Sequence, residues 1–296
     1  MKKIIIVFFS LLFSLSIYFA HIIIEPVRVI ENNIEHPYLV AFDTDFERIL
    51  FTDKSNFVYV YGLEGDFIFK FGGMYDDSSQ EDWEFEKISG ISVLGTNYVV
   101  ADNSLNKLCF FDTSGNFINK FDLDYTPGKI KGDEDSDLYI TNIVDLEIVV
   151  IDEFQDKKNL IALPDGYGEE QILDISAFGV SWEEDYIFIG DNINNKIVAF
   201  DKDGRYEYEF SSESNNRIMS IDYLNDLIIV TLENENSIYF FNEKGKLLSD
   251  FGSKGNASGE FLNPIGLSIF EDENLLAIAD SGNNRIQLFY LSDLDL

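Results

Sequence analysis

Three things are scarce in this chain. Its 296 residues include one cysteine, two histidines, and only 21 lysines and arginines against 54 aspartates and glutamates. A lone cysteine forms no intrachain disulfide, and Cys109, set in the strand-like run KLCFF, reads as a small buried hydrophobe. The two imidazoles, His21 and His36, leave no Ser-His-Asp or Cys-His arrangement to argue for. A net charge of −33 repels phosphate backbones, which are bound through basic patches, so nucleic acid is not an expected partner. The plain reading of that charge is solubility through self-repulsion; the other is a cationic ligand.

The N-terminus reads MKKIIIVFFSLLFSLSIYFAHIII, two lysines followed by an apolar run from Ile4 to Ile24. Residues 1–24 are therefore expected to be either a signal peptide or an N-terminal membrane anchor. Tyr18 stands where cleavage after Ala20 would want a small residue, and the run is long enough to span a bilayer with Lys2 and Lys3 on the cytoplasmic side. No cysteine follows for lipid attachment. Either way the rest of the chain, 25–296, is expected on the periplasmic or extracellular face, membrane-anchored or secreted. Export without disulfides fits a bacterial envelope.

What is abundant is repetition. An Asp followed by a polar-basic step into an apolar strand occurs as DNSLNKLCFF at Asp102, DNINNKIVAF at Asp191 and DSGNNRIQLF at Asp280, successive copies lying 89 residues apart. More diverged copies alternate with them, at Asp53, Asn142 and Leu232, so the unit repeats about every 45 residues, the range of propeller blades. In the last copy GLSIF, LLAIA and RIQLFY are three short β-rich runs. In earlier copies a Gly turn (Gly65, Gly115, Gly204, Gly245) leads into a fourth run such as FINKF. Each unit is thus expected to be a four-stranded antiparallel meander. A small residue recurs on the first strands, at Gly90, Gly128, Gly179, Ser220 and Gly266, with Leu39 departing, as expected where innermost strands crowd one axis. The sixth copy lacks a fourth strand, and Val27 to Ile30 is the candidate that supplies it and closes the ring.

The pattern of FGSKGNASGEFLNPIG, a strand, then ADSGNNRIQLF resembles the NHL repeat, and the resemblance extends over all six copies from about His36 to Tyr290. It implies an all-β, six-bladed β-propeller over 25–296 and no single activity, since the fold hosts many functions. The WD40 alternative is poor, because Trp83 and Trp182 are not in Trp-Asp pairs. Six-bladed relatives include lyases with His-held zinc, for which imidazoles are lacking here, and lactonases with an axial divalent ion.

The connections between blades alternate long and short, so three long loops are expected to crown one face. The most charged, Met74 to Glu86, interleaves Asp76, Asp77, Glu81 and Asp82 with Tyr75 and Trp83. Together with Asp53, Asp102, Asp191 and Asp280 these form the candidate binding set for a protein, peptide or glycan partner in the cell envelope. On the opposite face GDEDSD places Asp133, Asp135 and Asp137 at alternate positions as in a calcium loop. The Gly and distal Glu of that motif are replaced by Leu138 and Val144. No catalytic set and no cofactor is read. The alternative to a binding or scaffold role is a metal-dependent lactonase- or hydrolase-like enzyme with its site at the axis, where Asp222 lies on an innermost strand.

Overall fold

The structure, a computed structural model, describes residues 24–78, 81–133, 136–152, 157–163, 172–181, 186–212 and 214–294. Of the expected export segment only Ile24 is among them. Within the described residues no helix is long and apolar enough to cross a membrane.

Among the described residues, twenty-four strands form six four-stranded antiparallel sheets, the blades of a propeller. Blade 1 runs through Leu39–Asp43, Arg48–Thr52, Phe57–Gly62 and Phe67–Gly72, and blade 2 through Ile88–Leu94, Asn97–Asp102, Lys107–Asp112 and Phe117–Asp122. Blade 3 is Pro127–Gly132, Leu138–Asn142, Glu147–Ile151 and Lys157–Ala162; blade 4 is Ala177–Val180, Tyr186–Asp191, Lys196–Asp201 and Tyr206–Ser211. Blade 5 comprises Ile218–Leu224, Leu227–Leu232, Ile238–Asn242 and Leu247–Phe251. Blade 6 has three strands from the C-terminal end, Pro264–Phe270, Leu275–Asp280 and Arg285–Tyr290, and takes Arg28–Ile30 as its fourth.

Burial follows position in the blade. The middle strands are packed on both faces by neighbouring blades and are apolar almost throughout, as in LLAIAD, where every residue is buried. The outermost strands have one free face and alternate, as in FINKFD and YEYEFS. Six hydrophobic clusters fill the six blade interfaces. The ring closes where sequence predicted: Arg28, Val29 and Ile30 pair with Leu288, Gln287 and Ile286, and Val27 N donates to Leu288 O at 2.8 Å. Ile30, 2% exposed, enters the core between blades 6 and 1, so the closing strand is fixed by packing as well as by its ladder.

The turns explain the repeated motif. In the hairpin between the third and fourth strands, Gly245 has φ 73°, and a Cβ there would sit 2.2 Å from Phe210 Cγ, so both conformation and space demand glycine. In the turn between second and third strands the left-handed residue is Asn56, Asn106, Asn195 and Asn284 in four blades, a conformation asparagine tolerates. At the axis, a Cβ on Gly266 would lie 2.5 Å from Tyr38 O and 3.3 Å from Leu39 Cα. The glycine of blade 6 thus makes room for the backbone of blade 1, and Leu39 is tolerated because its neighbour is small.

Candidate functional site

The long connections, 73–87, 163–176 and 252–263, all leave from the outer edge of one blade and enter the axis of the next on one face; the short ones are 123–126 and 212–217. Loop 73–87 is fastened to blade 2. Lys107, 5% exposed, donates from Nζ to Asp82 O at 2.8 Å and Glu84 O at 2.7 Å. Phe85 is fully buried beneath the loop, and Asn56 Nδ2 of blade 1 donates to Phe85 O at 3.0 Å and Glu86 O at 2.9 Å. Cys109 is buried, its thiol lies 3.3 Å from Asp82 O, and burial pushes its pKa up to about 12, so it is not a nucleophile at neutral pH.

The upper side of this loop is acidic and aromatic. Asp76, Asp77, Glu81, Asp82 and Trp83 are exposed, Tyr75 is half-buried, and Met74 is exposed beside them. Ser78 donates through its hydroxyl and N–H to Asp76, which holds that carboxyl below its usual range. Asp82 accepts from Lys120 at 2.9 Å, and this hydrogen bond raises the ammonium's pKa.

The other predicted site residues have a different fate. Asp102, fully buried, accepts from Glu86 N at 2.7 Å with one oxygen and from Ser104 N and Leu105 N with the other. Asp191 likewise accepts from Leu173 N at 2.9 Å and from Ile193 N and Asn194 N; Asp280 accepts from Leu262 N at 2.7 Å and Arg285 Nε at 2.8 Å. The three acids 89 residues apart each bind the end of a long incoming loop. Burial raises the carboxyl pKa of Asp280 against the opposing pull of its donors. Asp53, 3% exposed, holds its own turn through Ser55 N at 2.8 Å. These four carboxylates are spent on backbone and share no surface with the exposed acids of loop 73–87.

Sequence reasoning missed the basic partners of these loops. Arg285, 5% exposed, ties loop 252–263 down through Asn256 O, Ala257 O and Glu260 O at 3.0, 2.7 and 2.7 Å. The signal was present: Lys107 and Arg285 both stand five residues after the repeated Asp, in the polar-basic step of the motif.

On the axis the innermost strands enclose a cavity of about 490 Å³ that runs toward the face opposite the long loops. Asp43, Asp45, Asp133, Glu271 and Asp272 stand around its outer end and Lys129, Lys131, Ser220, Asp222 and Ser268 along its wall. Asp222, 3% exposed, forms an ion pair with Lys131 and accepts from Ile269 N at 3.1 Å. Asp43 accepts from Tyr98 OH at 2.5 Å, and burial raises its pKa. Asp133 Oδ1 caps its own hairpin through Asp137 N at 2.7 Å; Asp135 lies outside the described residues. Among the described residues no group of three or more His, Cys, Asp or Glu side chains is arranged to hold a metal ion.

A family model described as a 6-bladed beta-propeller matches residues 211–296, less than half of the chain. No curated protein matches. Among solved structures the chain is similar to one titled streptogramin B lyase, at TM-score 0.59 and 14% identity, over 88% of this chain and 96% of that one. At that identity the likeness is one of fold. Both findings agree with the propeller, and neither names the NHL repeat.

Proposed function

We propose that the chain is an exported NHL-type propeller that binds a cationic segment of an envelope protein or peptide on the loop 73–87. The supporting observation is the two-sided construction of that loop. Its underside is bolted to blade 2 by Lys107 and Phe85, while Met74, Asp76, Asp77, Glu81, Asp82 and Trp83 remain exposed above. A surface held rigid before contact loses little conformational entropy on binding, and its charge speeds encounter with a cation. A glycan stacking on Trp83 and Tyr75 is the other partner chemistry this surface suits.

The test is recovery of partners from solubilised envelopes by the wild-type domain and by a variant carrying Asp76→Asn, Asp77→Asn, Glu81→Gln and Trp83→Ala. A partner recovered by the wild type, lost in the variant and released by salt supports the reading; equal recovery by both removes the loop from the function. N-terminal sequencing of the mature protein decides between secretion and an anchor. The axial hydrolase reading is less favoured, because Asp222 is already engaged by Lys131 and by backbone. Metal analysis of the purified domain tests it directly.

A further inference from the structure

The axial cavity holds two lysines on one strand with opposite circumstances. Lys129 and Lys131 flank Ile130, which is buried in the core between blades 2 and 3, so both long side chains turn to the other side of the strand. Lys131 finds Asp222 across the channel. Lys129, partly buried in the cavity wall, has no hydrogen bond or ion pair among the described residues. An enclosed ammonium without a partner is costly, and desolvation pushes its pKa down to about 8. In a chain of net charge −33, an unanswered cation inside the axial cavity is an electrostatic feature with no structural use visible among the described residues.

Two further groups of the wall are also unanswered. The hydroxyls of Ser220 and Ser268 line the same cavity, both partly exposed to it, and neither is hydrogen-bonded within the described protein. Ser92, by contrast, is taken up by Gly132 N at 2.8 Å. At the outer end Asp45 and Asp272 are exposed, so a plain anion entering the channel meets repulsion while a molecule with a positive end does not. A volume of about 490 Å³ is that of a small-molecule site.

We infer that Lys129 anchors the carboxylate of a small zwitterionic ligand in the axial channel, with Ser220 and Ser268 as hydroxyl donors and the acidic rim facing the ligand's cationic end. The site is independent of the loop surface on the opposite face. It is tested with three matched probes: (3-carboxypropyl)trimethylammonium, butyrate and butyltrimethylammonium. Calorimetric titration of the wild-type domain should show the zwitterion binding at least about tenfold more tightly than either singly charged probe. Lys129→Met should weaken the zwitterion at least about tenfold, and Lys129→Arg should retain it. In the wild type, bound zwitterion should shield Lys129 from reductive methylation, read by peptide mass spectrometry, which requires no variant to fold. Absence of shielding, or a Lys129→Met protein that is folded and binds unchanged, overturns the site. Butyrate binding as tightly as the zwitterion overturns the assignment of ligand class.

Discussion

Two enclosed lysines, Lys107 on the long-loop face and Lys129 in the axial channel, sit in the same kind of strand-rich surroundings and are treated in opposite ways. Lys107 gives its hydrogen bonds to Asp82 O and Glu84 O and so holds a loop in place. Lys129 gives none within the described protein. The same division runs through the acids: Asp102, Asp191 and Asp280 are committed to loop backbone, whereas Asp77 and Glu81 stand in solvent. Polar groups that are buried and paired build this propeller, and those left without a partner mark where something else can bind.

The contrast presupposes a closed ring, so the largest effect is expected from opening it. Deleting residues 26–31 removes Arg28–Ile30 from blade 6 and Ile30 from the core, and should abolish cooperative unfolding or lead to aggregation. Deleting only residues 1–23, which spares Ile24 packed against the core between blades 5 and 6, should leave the melt unchanged. Identical melts for the two truncations would show that the seam is not what holds blades 6 and 1 together.

Removing a committed cation comes next. Arg285→Ala leaves Asp280 buried without its guanidinium and uncovers three carbonyls, for an expected loss of about 3–5 kcal/mol in urea unfolding. Lys107→Ala uncovers two carbonyls and should cost less, about 2–4 kcal/mol. If Lys107→Ala were as mild as a surface substitution, the loop would not depend on it.

Lys129 should behave in the reverse sense. Its folded-state pKa is about 8 against an ordinary 10.5, so the unfolded chain holds the proton more firmly, and stability should rise with pH above about 8. The full gain is up to about 3 kcal/mol by pH 10.5. Tyr38 and Tyr239, both pushed up to about 12 by burial, and Cys109, pushed from 9.0 to about 12, keep their protons in the fold and oppose the trend, the thiol from about pH 9 upward. The window from about pH 8 to 9 is therefore the one to read by thermal melts. Lys129→Met should melt no lower than wild type at pH 7 and lose the rise in this window. A persisting rise would show that Lys129 is not its source. The smallest effect belongs to the free acids. Glu81→Gln, on an exposed side chain, should change stability by less than about 0.5 kcal/mol while weakening capture of a cationic partner at low salt.

Much of the scaffold was legible in the sequence because its turns are. Asp102 and Asn106 recur with the blade, since one caps a turn through the N–H groups of Ser104 and Leu105 and the other takes its left-handed residue. The alternation of loop lengths was legible too, and with it the face that carries Met74 to Glu86. Grouping Asp53, Asp102, Asp191 and Asp280 with the exposed acids of that loop was beyond what periodicity can judge. A repeated carboxylate in a turn looks alike whether it points to solvent or to the backbone of a loop arriving from the previous blade. Lys129 gave no signal at all, because a lysine beside a glycine in a short strand has no periodic meaning.

The sequence by itself determined the six blades, their turns and the strand that joins the two ends, all of which follow from local backbone preference and the parity of buried positions. Tertiary structure alone decided which polar groups are answered. Lys107 meets Asp82 from 25 residues away and Lys131 meets Asp222 from 91, while Lys129, two positions earlier, meets nothing within the described protein. The physical reason is that hydrogen-bond satisfaction depends on atoms brought together by ring closure, and no local pattern records where a side chain several blades away will end.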